Sequence, residues 1–179
     1  YKGIFTILSS CASRQLEEVT FRRTVIPVQE LLDAAGKYFK KLMKNRSERI
    51  ELEIESMEAK VIGDVNQLRF LLENLIDEAL TVREDGVIRL QARKDNEYIR
   101  FLFTDTRREK SVEELNQLFY PNLARMTSGE KGELRGTEYL VCKQIIRDHD
   151  EFAGRRGCRI NAEPAEGGGF TVYFTIPRR

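Results

Sequence analysis

Apolar residues recur at helical spacing in several parts of the chain, and one stretch stands out. After Asp64, apolar side chains return every three or four positions as far as Leu80, and the aspartate stands where a helix N-cap is expected. The same spacing predicts helices over residues 4–22, 29–43, 112–119 and 139–146. Residues 121–135 are polar and contain few apolar positions, which predicts a mobile loop.

Alternation with a period of two predicts the strands. It is clearest at residues 50–54, where isoleucine and leucine alternate with glutamate. Further strands are predicted at residues 25–28, 60–63, 87–92, 98–103, 158–162 and 170–176. Because helices are followed by pairs of neighbouring strands, the order favours an α+β two-layer sandwich with a mixed, mostly antiparallel sheet and helices on one face. We expect residues 25–179 to form this domain and residues 1–24 to form a lead-in helix or linker.

Composition narrows the classes of function. Of the 179 residues, 41% are apolar, which is enough for a hydrophobic core. Thirty Lys and Arg residues nearly balance 29 Asp and Glu residues, which argues against a dedicated nucleic-acid binder. No apolar run approaches the ~18 to 20 residues that a bilayer crossing requires. The three cysteines form no CxxC pair, so neither a structural zinc site nor a disulfide framework is predicted.

The helix after Asp64 carries a motif as well as a pattern. It reads Asp64-Val-Asn-Gln-Leu-Arg-Phe-Leu-Leu-Glu-Asn74-Leu-Ile-Asp-Glu78-Ala. This string and the order of the elements resemble the catalytic, ATP-binding domain of sensor histidine kinases. That domain belongs to a superfamily shared with DNA gyrase, heat-shock chaperone ATPases and mismatch-repair ATPases. The resemblance covers about residues 25–177, and it implies the α/β sandwich of that family, with ATP and Mg²⁺ as the family's ligands.

Two residues of this motif match positions that handle the metal. The resemblance implies that Asn74 is the Mg²⁺ ligand, and Glu78, four residues further on, shares its helix face. Phe70 stands where gyrase-like ATPases have the general base, and a phenylalanine cannot accept a proton from water. Gyrase-type hydrolysis is therefore not expected. The residues alone equally allow Asn74 and Glu78 simply to flank the buried stripe of the helix.

The glycine loops that hold nucleotide in the family are altered. The family's Asp-x-Gly-x-Gly, whose aspartate binds adenine, stands here as Asp105-Thr-Arg107-Arg-Glu109, so the aspartate is kept and both glycines are lost. Arg107 and Glu109 would place bulky charged side chains where the purine lies, and neither tolerates a positive φ as glycine does. The residues alone equally allow Asp105 to be an ordinary turn residue that follows a buried strand.

The family's phosphate-binding loop and its last strand also have counterparts in this sequence. The second loop reads Leu134-Arg-Gly136-Thr-Glu138-Tyr, and Gly136 is its one remaining glycine. Glu138 would add negative charge beside a triphosphate, at a cost of ~1 to 4 kcal/mol for one close pair. Thr171 matches the family's threonine that supports the adenine-binding aspartate. The residues alone equally allow it to be an ordinary β-branched strand residue. The only histidine, His149, follows a helix, and we expect it to cap that helix or to be solvated.

Two classes of function follow, and a third remains open. The segments expected to form the core match the family's sequence pattern, whereas the loops expected to contact nucleotide do not. This difference favours a degenerate, non-catalytic signalling module with no cofactor. The alternative is an ATP-binding protein-histidine kinase domain with atypical loops. The third is a pocket that accepts another acidic ligand through Arg107, Arg108 and Arg135. Expected partners are other domains of a larger signalling protein and a second copy through the lead-in helix, without nucleic acid or membrane contact. We expect a cytoplasmic location, which includes the cytoplasmic part of a membrane-anchored sensor, and a chain cut from a longer protein.

Overall fold

The computed structural model describes residues 20–121 and 136–179. The elements in these ranges are β1 (Thr24–Pro27), α1 (Val28–Met43), β2 (Ile50–Ile54), β3 (Lys60–Gly63), α2 (Val65–Ala79), β4 (Gly86–Asp95), β5 (Tyr98–Asp105), α3 (Val112–Gln117), α4 (Glu138–Phe152), β6 (Ile160–Pro164) and β7 (Phe170–Pro177). Most of the helix predicted at residues 4–22, and nearly all of the loop predicted at residues 121–135, lie outside the described residues. Residues 21 and 22, at the end of that predicted helix, are not helical.

Two sheets form the strand layer. The larger sheet has the order β2-β4-β5-β7-β6, in which β2 and β4 are parallel and the other pairs are antiparallel. The smaller sheet pairs β1 with β3 in antiparallel orientation, and a bridge between Val61 and Arg178 joins it to the end of the chain. In the turn between β4 and β5, Asn96 has a φ of 55°, which asparagine tolerates better than most residues. The α+β sandwich with a mixed, mostly antiparallel sheet is confirmed.

The core lies between one face of the large sheet and the helices. Alternate residues of β5 are buried (Ile99, Phe101 and Phe103), and they belong to one cluster with apolar residues of α1, α2 and α4. Along α2, the buried side chains repeat at the predicted spacing. Asp64 caps α2 as predicted, because its carboxylate accepts hydrogen bonds from the backbone N–H groups of Asn66 and Gln67 at 3.0 and 3.1 Å.

The end of α4 differs from the sequence interpretation. The helix was predicted over residues 139–146, but it continues to Phe152. Phe152 packs against Phe21 with ring centroids 5.7 Å apart, a contact between parts of the chain distant in sequence. The Asp150 carboxylate then accepts hydrogen bonds from the N–H groups of Gly157 and Cys158, which closes the connection to β6. The strand predicted from residue 158 therefore begins at Ile160.

His149 is buried, so the prediction of a capping or solvated side chain was wrong. Its Nε2 accepts a hydrogen bond from the Asp64 N–H at 3.1 Å, and its Nδ1 lies 2.8 Å from the Ile145 carbonyl oxygen. These two contacts correspond to a neutral ring protonated at Nδ1. The ring also contacts Phe21 edge-on, with centroids 4.9 Å apart. His149 thereby ties the end of α4 to the start of α2 and to the lead-in residues.

Replacing His149 with leucine is expected to lower the free energy of unfolding by about 1 to 3 kcal/mol, because it leaves the Asp64 N–H without its acceptor. Urea unfolding followed by circular dichroism measures the change. Glu151→Gln, an exposed change on the same helix, is the control and should alter stability by less than about 0.5 kcal/mol. Equal stabilities for His149→Leu and the control would show that the ring only fills space.

Candidate functional site

The site that the sequence predicted lies where β5 ends against the C-terminal end of α2. Asp105 is the last residue of β5 and its carboxylate is 5% exposed. Asp105 and Glu78 line one small cavity together with Tyr139 from α4 and Phe170 from β7. The fold therefore brings two of the five predicted residues to the same cavity wall. Asn74, Gly136 and Thr171 are not among its described lining residues.

The Arg107 side chain occupies the approach to Asp105. Its guanidinium forms a bidentate ion pair with that carboxylate, in which Nε lies 2.9 Å from Oδ1 and Nη2 lies 2.8 Å from Oδ2. The same group donates to the carbonyl oxygens of Ala79 at 2.7 Å, Val82 at 3.0 Å and Glu84 at 2.9 Å. A guanidinium has five N–H donors, so every one of them has a protein acceptor here. With 1% of its side chain exposed, Arg107 is a buried structural link.

Two glycines make this arrangement possible. Gly86 has a φ of 144°, and a Cβ added there would lie 2.5 Å from Cγ of Arg107. Gly169 has a φ of 86°, and a Cβ there would lie 2.7 Å from Cα of Thr106, the residue between Asp105 and Arg107. Any side chain at these positions would displace the arginine or the backbone that carries it. Among the described non-glycine residues only Asn96 has a positive φ, so Arg107 keeps an ordinary backbone conformation.

The remaining space beside Asp105 is small. Within the described part of the chain, the cavity at this carboxylate has a volume of about 30 Å³. That volume accommodates about two water molecules at ~10 to 15 Å³ each. A purine is much larger, and the hydrogen-bonding edge of Asp105 is already taken by Arg107. The residues present therefore do not fit adenine in this arrangement.

Acidic groups converge where phosphates would lie. Glu138, in the first turn of α4, raises the pKa of Asp77, although burial of Asp77 is the larger cause. Burial also raises the pKa of the Cys142 thiol, and the charges of Glu138 and Glu78 contribute to that increase. One carboxylate oxygen of Glu138 is buried and has no hydrogen-bond partner among the described residues. A polyphosphate would meet negative charge at this end of α4 instead of open N–H groups alone.

The other predicted residues have structural contacts. Asn74 is buried, and its Nδ2 donates to the Phe70 carbonyl oxygen at 2.8 Å within α2. Thr171 lies opposite Thr104 in the β5–β7 ladder, and the two hydroxyl groups are 2.8 Å apart. Because neighbouring strand residues alternate between faces, Thr171 and Asp105 point to opposite sides of the sheet. The expectation that Thr171 supports Asp105 is therefore wrong for the side chains.

Gly136 has a φ of 78°, a conformation that favours glycine, at the entry to α4. The following residue, Thr137, is the N-cap of α4, and its side chain makes no capping hydrogen bond. The alternative pocket was predicted from three arginines. Arg108 lines the small cavity, whereas Arg107 forms an ion pair with Asp105. Arg135 lies outside the described residues. Sequence reasoning identified Arg107 as an obstacle to a purine, but it missed the carbonyl acceptors on α2 and the following loop, for which the sequence carries no signal.

A mixed sheet packed against helices, with an aspartate at the end of a central strand beside the asparagine-bearing helix, defines an ATPase-type sandwich. The chain belongs to the family described as histidine kinase-, DNA gyrase B- and HSP90-like ATPases, whose sequence model matches residues 63–179. No match to an individual curated protein sequence was found. The resemblance to histidine kinase domains that the motifs indicated is thereby confirmed.

Solved structures show the same fold at low sequence identity. The catalytic domain of histidine kinase ThkA, in a nucleotide-free form, has a TM-score of 0.68 and 21% identity, over 88% of this chain and 97% of that one. The mycobacterial sensor histidine kinase MprB has a TM-score of 0.67 and 19% identity, over 88% of this chain and 99% of that one. ThkA in complex with response regulator protein TrrA has a TM-score of 0.67 and 18% identity, over 99% of this chain and 49% of that one. In the described residues no helix is long and apolar enough to cross a membrane.

Proposed function

We propose that this chain is a degenerate histidine-kinase-like domain that acts as a non-catalytic signalling and interaction module within a larger signal-transduction protein. The observation that carries this proposal is the buried Arg107–Asp105 pair, whose guanidinium has all five of its donors engaged. Adenine recognition in the family requires the carboxylate that this arginine holds. The fold is then kept for docking and not for catalysis.

The cost of displacing the Arg107 guanidinium supports this proposal. Adenine would have to displace the guanidinium from a bidentate ion pair and from three carbonyl acceptors. Hydrogen bonds to charged groups contribute ~1.5 to 3 kcal/mol each, so the displacement is costly. The adenine amino group would restore a bond to Asp105, but it would leave the Ala79, Val82 and Glu84 carbonyl oxygens without their present donor. The acidic surroundings of Glu138 add a further obstacle on the phosphate side.

We expect no increase in melting temperature with ATP and Mg²⁺, because a ligand that does not bind the native state cannot stabilise it. The measurement is a thermal melt of the chain in ~5 mM nucleotide, with the ThkA catalytic domain as a reference protein. A saturable stabilisation that Asp105→Asn abolishes would overturn the proposal.

The second candidate function is an ATP-binding protein-histidine kinase domain with atypical loops, and the presence of both Asn74 and Asp105 favours it. Arg107→Gly distinguishes two forms of this idea, because it removes the guanidinium and restores the family's residue. Nucleotide binding by Arg107→Gly but not by the unaltered chain would show that this arginine alone blocks the site. Binding by neither would show that the loss extends to the phosphate loop.

A further inference from the structure

A basic groove crosses the side of the domain that carries the small sheet, away from the Asp105 cavity. It consists of two depressions that meet at Arg179. The first, of about 350 Å³, lies between β1 and the end of α4, and Arg23 and Arg155 line it. The second, of about 420 Å³, lies beside β3 and includes Lys60, Lys94 and Arg178. We call the six basic residues named here and their two depressions the basic groove.

The charge of this groove is concentrated and little neutralised. Among the described residues, the linings contain six basic side chains and one acidic side chain, Glu58, and Glu97 lies beside Arg155. Within residues 20–121 and 136–179, Arg155 is the one member of the six with an ion pair, at 3.8 Å from Glu97. The chain as a whole carries a formal charge of only +1. The fold therefore collects at this place a positive charge that the near-balanced composition does not predict.

The backbone beneath these side chains is held in place. The N–H of Arg178 donates to the Glu97 carbonyl oxygen at 2.9 Å, and the N–H of Arg179 donates to the Lys60 carbonyl oxygen at 3.0 Å. Gly154 lets Arg23 approach, because a Cβ there would lie 2.7 Å from its Nη1. A groove whose walls are already ordered loses less conformational entropy when it binds a ligand.

Part of the groove's lining is apolar. Val25, which is 41% exposed, lines the first depression with Pro177, and Met57 and Ala59 line the second. Among the described residues β1 pairs with β3 alone, so alternate N–H and C=O groups on its other side lie outside that ladder. A groove lined by basic and apolar side chains beside a strand edge is complementary to an extended chain with acidic and apolar side chains.

We propose that the basic groove binds an acidic, extended polypeptide segment of a partner domain or protein. Arginine side chains at both ends would pair with carboxylates, while apolar side chains of the segment would pack on Val25 and its neighbours. This inference rests on the proposed docking role, for which it names the surface and the chemistry of the partner. It is independent of the Asp105 cavity, so nucleotide titration tests the proposed function and peptide binding tests the groove.

The test uses the 179-residue chain. A fluorescein-labelled peptide of about eight alternating glutamate and valine residues is titrated by fluorescence anisotropy at ~50 and ~200 mM salt. Saturable binding that weakens with salt is expected. The charge reversal Arg23→Glu/Arg179→Glu is expected to weaken it at least about tenfold, because carboxylates of the peptide lose their partners in the first depression and at the junction of the two depressions.

The matched control is Lys37→Glu/Lys41→Glu, which changes the net charge equally on the exposed face of α1 and should alter affinity less than about twofold. Equal losses in the two double variants would reduce the effect to net charge and overturn the proposal. Should charge reversal unfold the chain, Arg23→Gln/Arg179→Gln and Val25→Asp replace it, and unchanged affinity in these would also overturn the proposal.

Three further outcomes would contradict a peptide partner. One is no binding at ~1 mM peptide. Another is equal or tighter binding to single-stranded nucleic acid or to vesicles containing anionic lipid, which would identify a general polyanion surface. The last is stronger peptide binding after Glu17→Gln/Glu18→Gln, which would identify the chain's own lead-in segment as the occupant. Selective peptide binding that is lost only in the groove variants supports the proposal.

Discussion

Replacing Asp105 with alanine is expected to lower the free energy of unfolding by about 3 to 5 kcal/mol, which is the usual cost of removing one partner from a buried ion pair. The reason is that the Arg107 guanidinium, 1% exposed, would keep its carbonyl acceptors but lose the negative charge that balances it. Replacing Arg107 instead removes both side-chain hydrogen bonds to the Asp105 carboxylate and leaves the one from the backbone N–H of residue 107. We expect a similar loss. Urea unfolding of both variants measures it.

The double variant Asp105→Ala/Arg107→Ala supplies the decisive comparison, because it removes both charges together. Its destabilisation should be clearly smaller than the sum of the two single changes, as expected for residues in direct contact. The control is the exposed pair of Glu53 and Arg89, with side chains 54% and 49% exposed, where Glu53→Ala should cost about 1 kcal/mol or less. Additive single changes at 105 and 107 would mean that the two side chains do not pair in solution.

Gly169→Ala is expected to destabilise the domain severely, by about 3 kcal/mol or more, because two costs combine there. An alanine at a φ of 86° is strained, and its Cβ would also collide with the Asp105 carbonyl oxygen and lie 2.7 Å from Cα of Thr106. These are backbone atoms that cannot rotate away. The thermal melting temperature and urea midpoint of the variant report the loss.

Gly167→Ala separates these two costs. Gly167 has nearly the same φ, 88°, but a Cβ there would meet nothing within 4 Å. Its replacement should therefore cost only the conformational part, about 1 to 2 kcal/mol. If the two alanine variants proved equally stable, the close approach of Gly169 to the segment after Asp105 would not exist in solution.

Much of the fold was predictable because its signals are local. The apolar repeat after Asp64 and its capping carboxylate lie within one continuous stretch, and α2 has the predicted start and buried face. Alternation at residues 50–54 likewise predicted β2. The end of α4 was not predictable, since Phe152 lacks a periodic apolar neighbourhood and is held by Phe21, distant along the chain.

The site was predictable in its components and not in its contacts. Loss of both glycines after Asp105 indicated that a purine would meet bulky side chains, and Arg107 does occupy the approach to this carboxylate. The acceptors of that guanidinium lie 23 to 28 residues earlier in the chain, and the sequence does not indicate their positions. His149 was misjudged for the same reason, because its partner Asp64 is 85 residues away.

The sequence by itself therefore predicted most of the elements, because periodicity acts over a few residues. Its resemblance to sensor histidine kinases identified the family and showed that the nucleotide loops are altered while the core is retained. The positions of the charged side chains were decided by the tertiary structure alone. It pairs Arg107 with Asp105 and with carbonyl groups at and after the end of α2, and it brings six basic residues together in one groove. Ion pairs and grooves depend on distances in space between chain segments, and a near-neutral composition carries no information about those distances.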